Sequence, residues 1–128
     1  MIKPKLKSLF IQFTPQENGD PEDDFWTIIR ASIGTEGKKA PDGSEAADLF
    51  LFYATSPKRL QKIISKKGYE FGHKLIIVEK YNEELIKQAI EKLIAEFKGD
   101  NWDIVAQKIG RYGQWEFESY DEWKEKSK

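Results

Sequence analysis

The sequence predicts an α+β domain whose mainly antiparallel sheet carries a long helix, residues 83–98, on one face. Three apolar segments rich in β-branched and aromatic residues follow one another in the first half of the chain, which is typical of strands. A strongly amphipathic segment follows later, and Gly- and Pro-containing connections separate the elements. The predicted order is β-β-β-α-β-α-α-β, which places the sheet and the helices in two packed layers.

The first three strands are expected to form an antiparallel meander. The first begins irregularly around Pro4, and a polar, Pro- and Gly-containing loop at residues 14–24 separates it from the second. A second polar connection with several glycines leads to the third strand. The three predicted strands are residues 2–13, 25–33 and 46–54.

A short helix and a strand come next. Ser56 and Pro57 are typical of an N-cap and a first helical position, and Gly68 is expected to end that helix. The continuous apolar run at residues 75–78 predicts a buried central strand.

The long helix is the clearest element of the sequence. Asn82 is its expected N-cap and Gly99 its stop. Its apolar residues form two adjacent rows at i,i+4 spacing, which predicts a face packed on the core. They are Leu85, Ile86, Ala89, Ile90, Leu93, Ile94 and Phe97.

The C-terminal part predicts a further short helix and a last strand. Asp100 is the expected N-cap of the helix, and residues 114–120 alternate as a strand does. Trp102 and Trp115 are both expected to be largely buried. Residues 1–120 then form one domain, and residues 121–128 form a charged tail.

Composition excludes several classes of function. With 21 basic and 22 acidic residues the net charge is −1, which argues against a nucleic-acid partner. No apolar run is long enough for a membrane helix, and no Cys is present for disulfides or thiolate chemistry. The N-terminus lacks the apolar stretch of a signal peptide, so a cytoplasmic location is expected. The oligomeric state stays open.

The sequence predicts no catalytic, cofactor-binding or metal-binding site. His73 is the only histidine, so neither a metal cluster nor a His-based triad can be assembled. Glu116 and Glu118 could lie on one face of a strand about 6.5–7 Å apart, as the paired carboxylates of glycosidases do. Two solvent-facing Glu residues on a strand give the same pattern, and we expect no enzyme.

Two acidic segments are candidate partner-binding surfaces. The first is the loop with Asp20, Glu22, Asp23 and Asp24, which is expected to be exposed and free of compensating Lys. A solubilising connection without a partner is the alternative. The second group lies near the C-terminus, where an exposed Trp could anchor an interface. It consists of Glu116, Glu118, Asp121, Glu122 and Trp123.

Several segments, in order and spacing, closely resemble the immunity protein 8 family of bacterial polymorphic-toxin and contact-dependent inhibition systems. The most specific is Asn101–Ile109, which leads through two glycines into a Trp-Glu-Phe-Glu-Ser-Tyr sequence. The others are Met1–Leu9, Pro21–Asp23 and Tyr69–His73. The connection at residues 34–43 is longer than the family pattern, and the tail after residue 120 is extended.

The resemblance implies a cytoplasmic antidote that binds and neutralises a cognate toxin domain, with no cofactor and no chemistry of its own. Nuclease toxins are frequent in such systems, but the sequence does not identify this toxin's activity. The alternative is a general interaction or scaffold domain unrelated to toxins.

Overall fold

Five strands and four helices form the part of the chain that the computed structural model describes, residues 1–118. The predicted α+β class is confirmed, and the order gains one short helix between the first two strands. The strands are β1 (Pro4–Gln12), β2 (Trp26–Thr35), β3 (Asp48–Thr55), β4 (Leu75–Ile77) and β5 (Gln114–Trp115). The helices are α1 (Pro15–Asn18), α2 (Pro57–Lys67), α3 (Glu83–Ile94) and α4 (Trp102–Ile109).

The predicted meander of β1, β2 and β3 is confirmed, with antiparallel pairing throughout. The edge of β3 that is not paired with β2 pairs with both β4 and β5. β4 pairs parallel to residues 53–55, and β5 pairs antiparallel to residues 50–51. The predicted buried central strand at residues 75–78 is therefore wrong, because β4 is a three-residue edge strand in which Ile77 is 57% exposed.

A β-bulge decides which side chains of β1 reach the core. The register with β2 shifts between Leu6 and Ser8, which leaves Lys7 as the extra residue. The shift changes the alternation by one position, so Leu6 before it and Ile11 after it are both buried on the same side. A strictly alternating strand would have turned one of them to solvent.

The core lies between one face of the sheet and helices α3 and α4. Large side chains of β2 and β3 fill its centre with almost no exposure. These side chains make one continuous cluster. Its members are Leu6, Ile11, Phe25, Ile29, Ala31, Ile33, Phe50, Phe52, Ala54, Val78, Ile86, Ile90, Ile94, Val105, Ala106 and Ile109.

Helix α3 begins as predicted, with the Asn82 side chain accepting the Leu85 N–H, but it ends at Ile94 rather than at residue 98. The chain turns there because Gly99 pairs with Ile2 of the N-terminal segment in an isolated bridge. Of the two predicted apolar rows, the Ile86 row is buried, whereas Leu85 is 49% exposed. In the second row Leu93 and Phe97 pack against the core, whereas Leu85 and Ala89 stay exposed, so the wider predicted core face holds only in part.

The last helix and strand also differ from their predicted limits. The N-cap of α4 is Asn101, whose side chain accepts the Ile104 N–H at 3.0 Å, and not Asp100. β5 ends at Trp115 instead of continuing to residue 120, because a turn follows in which the Glu118 N–H donates to the Trp115 carbonyl. Among the described residues of the predicted strand, the first two pair with β3 and the Glu116 N–H still donates to the Leu49 carbonyl.

The two tryptophans near these ends pack against the core as predicted, and a smaller part of each stays exposed. Each indole N–H reaches the same oxygen, Oδ2 of Asp48, at 2.7 Å from Trp102 and 2.9 Å from Trp115. Both rings also lie against Phe50, one edge-on and one stacked. Since an indole needs a partner for its N–H, the rings stop at the polar margin of the core.

We predict that Asp48→Ala lowers the free energy of unfolding by about 2–4 kcal/mol, because it leaves two partly buried indole N–H groups without their charged acceptor. Urea unfolding measures the loss. In the Asp48→Ala background, Trp115→Phe should cost less than it does in the wild type, because the bond is already gone. Asp42→Ala is the control, since within residues 1–118 the Asp42 side chain accepts its hydrogen bonds from Ser44 of its own turn. Equal losses for the two aspartate variants would contradict the prediction.

Candidate partner-binding surfaces

The acidic loop at residues 14–24 folds back against helix α2. Asp24 is 5% exposed, and its carboxylate accepts hydrogen bonds from Arg59 Nε at 2.6 Å and from the Lys62 ammonium. The Arg59 guanidinium also donates to the Asp24 carbonyl at 3.0 Å. The expectation of an exposed loop without compensating cations is therefore wrong at Asp24.

Two further acidic residues of this loop have partners on the same helix. Asp20 lies 3.3 Å from Arg59 Nη2, and Asp23 lies 3.8 Å from the Lys58 ammonium. The loop and α2 thus neutralise much of each other's charge, which sequence reasoning missed. The signal was present, since α2 has basic residues and no acidic one, but nothing in the sequence showed that the two segments meet.

Ion pairing fixes the protonation state of this junction. The hydrogen bonds from Lys62 and Arg59 hold the pKa of the Asp24 carboxyl below its usual value. The bond to Asp24 in turn raises the pKa of Arg59. The loop is thereby held in one conformation by charged bonds, and its remaining side chains are displayed from a fixed base.

A hollow of 480 Å³ opens on the other side of the same loop. We call it the acidic hollow; among the described residues its lining contains three carboxylates and no basic side chain. Asp20 is shared with Arg59, whereas Glu22 and Glu83 make no ion pair within residues 1–118. The lining consists of Thr14, Pro15, Gln16, Asp20, Glu22, Tyr81 and Glu83.

Tyr81 forms part of the lining of the acidic hollow. Its ring packs edge-on against Phe25, with centroids 5.5 Å apart, and its backbone N–H donates to the Glu22 carbonyl. Burial raises the pKa of the Tyr81 phenol, and the charges of Glu83 and Glu17 raise it further. The phenol therefore remains a neutral hydrogen-bond donor beside carboxylates.

The second predicted acidic group is not brought together. Glu116 accepts the Leu49 N–H at 2.8 Å, and Glu118 pairs with Lys74 at 3.1 Å. Both follow the end of β5, so the paired-carboxylate geometry expected on a strand face is wrong. Asp121, Glu122 and Trp123 lie outside the described residues.

Within residues 1–118, no three His, Cys, Asp or Glu side chains come together in a group that could hold a metal ion. None of the helices described is long and apolar enough to cross a membrane.

Exposed aromatic side chains are a feature that sequence reasoning missed. Phe10 lies on the face of β1 away from the core, and Phe13 follows the strand next to the residues that line the acidic hollow. Both were counted with the apolar residues of the first strand. Strict alternation along β1 could have placed Phe10 outside only if the bulge at Lys7 had been known.

We predict that Asp24→Asn removes an acid-sensitive part of the stability. Because the folded pKa of Asp24 lies below its unfolded value of about 4, the ionised form stabilises the fold above that pH and loses this effect as pH falls through the folded pKa. Thermal melts should show the variant several degrees below wild type at pH 7, with the gap closing as the pH falls below about 4. Asp23→Asn, at a more exposed site, is the control. A pH-independent gap for Asp24→Asn would contradict the assignment.

Comparisons with known proteins bear on the whole described fold. A family model described as Immunity protein 8 matches residues 5–120 of the 128-residue chain. No curated protein and no solved structure matches. The match spans the sheet, all four described helices and the acidic hollow, and it confirms the resemblance inferred from the motifs. The chain belongs to the immunity protein 8 family.

Proposed function

We propose that this chain is a cytoplasmic immunity protein that binds its cognate toxin domain and blocks the toxin's active site or its access to substrate. Membership of the family carries the proposal of a toxin partner. The acidic hollow carries the proposal of where that partner binds. A net charge of −1 favours a protein partner over a nucleic acid.

The chemistry of the hollow suits a basic protein surface. Glu22 and Glu83 offer two carboxylates that have no cation of their own among residues 1–118, and the Tyr81 phenol lies beside them. A toxin that acts on a nucleic acid needs a basic cleft to hold a polyanion. Carboxylates can occupy such a cleft in place of phosphates, and arginines bind them with paired hydrogen bonds.

The remaining residues of the loop have two roles in this proposal. Asp24 and Asp20 hold the loop to α2 through Arg59, so they position the surface and do not themselves contact the toxin. Asp23 is more exposed and lies at the edge of the contact, where a charge mainly affects the rate of association. A loop that is already ordered loses little entropy on binding.

Glu116, Glu118, Asp121, Glu122 and Trp123 remain a second proposed contact surface. Glu118 pairs with Lys74. Glu116 is exposed, and its carboxylate accepts the N–H of Leu49 in β3. We rank this surface after the hollow because two of its described carboxylates already have partners. It becomes the first surface to test when variants of the hollow have no effect.

The binding experiment uses the toxin domain encoded next to this gene, carrying a substitution that abolishes its toxicity. Co-expression followed by size-exclusion chromatography should give a stable complex, and co-expression with the active toxin should protect cells. Protection of the cells without any complex would contradict direct binding. If the toxin domain neither forms a complex with the chain nor is neutralised by it, the alternative of a general interaction domain is favoured.

We predict that Glu22→Lys together with Glu83→Lys raises the Kd for the toxin domain at least about 30-fold, because two favourable contacts become like-charge contacts. The slower association should be most marked at low ionic strength, where charges are least screened. Surface plasmon resonance at several salt concentrations measures both.

The matched control is Glu36→Lys, a charge reversal at an exposed residue just beyond the far end of β2. This variant should keep the Kd for the toxin domain within about threefold of wild type, since an exposed charge away from the contact is screened and contributes little. Equal effects of the control and of the hollow variant would show a general charge effect and would remove the hollow from the interface.

A further inference from the structure

Phe13 combines a strained backbone with an exposed ring, one residue before the lining of the acidic hollow. Its φ is +60°, in the left-handed region, and its side chain is 50% exposed. It stands between the end of β1 and Thr14, which caps α1 and lines the hollow. A bulky residue in this conformation is a rare outlier among L-amino acids.

The turn, and not the phenyl ring, requires the left-handed backbone. The chain must leave β1 and enter α1 within one residue, and the Asn18 side chain fixes this turn by donating to the Phe13 carbonyl at 3.2 Å. Elsewhere the chain places glycine at such positions. Of the six described residues with positive φ, four are glycines, and only Phe13 and Lys74 are not.

Phe13 thus departs twice from what stability favours. Glycine or asparagine would adopt the same turn with less strain, and a polar side chain would suit half-exposure better. Strained positions of this kind persist where the surrounding structure holds them, and they cluster at functional sites. The local conflict is a reason to look for a partner of the ring.

We infer that Phe13 is the apolar anchor of the toxin interface, inserted into a pocket of the toxin that lies beside its basic surface. The inference rests on the proposed function and deepens it. The carboxylates of the hollow would select a cationic partner. The Phe13 ring would supply a buried apolar contact, the kind of contact that carries most of the binding energy. Aromatic residues are enriched at the centres of protein interfaces, and charged residues surround them at the rim.

The turn explains why the anchor can act without large rearrangement. Pairing of Gln12 with Ile28 fixes the backbone before Phe13, and the bond from Asn18 to the Phe13 carbonyl fixes it after, so the ring is presented from a rigid base. A preorganised side chain loses less conformational freedom on binding than one on a loose loop.

The test compares Phe13→Ala with Phe13→Gly in the full chain. Both remove the ring, so each should raise the Kd for the inactivated toxin domain about 30-fold, as expected for a hot-spot side chain. Only alanine keeps the left-handed strain. The glycine variant should therefore melt about 2–5 °C above the alanine variant while binding no better.

Three controls separate a contact from a structural effect. Phe13→Tyr keeps the ring and should bind within about threefold of wild type, as no ring contact is lost. Phe71→Ala removes a ring that is 77% exposed in another loop, and Ile77→Ala shortens an apolar side chain that is 57% exposed on β4. Neither should change toxin affinity by more than about threefold, because neither borders the hollow.

Each outcome decides a different point. Wild-type affinity for Phe13→Ala, with a stable wild-type complex, overturns the anchor and leaves the proposed function standing. Loss of binding by Phe71→Ala to the same extent also overturns it, since the effect would then belong to any exposed ring. A wild-type chain that forms no complex overturns the proposed function and the anchor with it. Affinity lost in both Phe13 variants and kept in all three controls establishes the anchor.

Discussion

The charged junction between Asp24 and helix α2 is the contact on which the candidate site depends. Asp24 is buried at the start of the second strand, where an unpaired carboxylate would be strongly unfavourable. Arg59 and Lys62 supply the compensating charges, and Arg59 also bonds to the Asp24 carbonyl. Breaking one partner of such a buried group leaves the other uncompensated, so the loop and the helix have to fold together.

Neutral hydrogen bonds extend the same junction into the core. The Ser56 hydroxyl accepts the Phe25 N–H at 3.1 Å and also caps α2 through the Arg59 N–H. The Thr55 hydroxyl donates to the Phe25 carbonyl at 2.9 Å. These buried polar groups are all satisfied, which gives the start of β2 and the end of β3 one fixed register. The acidic hollow is lined in part by the loop that this junction holds in place.

Stability and recognition place opposite demands on the segment between β1 and β2. Most of it follows local rules, with Thr14 as an N-cap and Gly19 in the left-handed position after α1. Phe13 breaks those rules, and Glu22 and Glu83 place like charges around one hollow. Departures from local consistency that lie together on one surface are expected where binding was favoured over stability.

The sequence by itself determined the elements whose signals are local. Helix α2 begins after Ser56 at Pro57 and ends before Gly68, as predicted. Asn82 caps α3 by accepting the Leu85 N–H. The antiparallel meander also followed, because strands that are consecutive in the chain usually lie side by side in a sheet. The order and spacing of its motifs also carry the family resemblance, because they are properties of the sequence alone.

Tertiary structure alone decided the properties that depend on distant pairs. The burial of Asp24 rests on Arg59, 35 residues away, and the partial burial of Trp115 rests on Asp48, 67 residues away. The short β4 and β5 and the bulge at Lys7 depend on the length and register of a neighbouring strand. Propensity and periodicity act over a turn or a strand, whereas burial and charge compensation are set by which segments meet in space, so the binding surface could only be located from the fold.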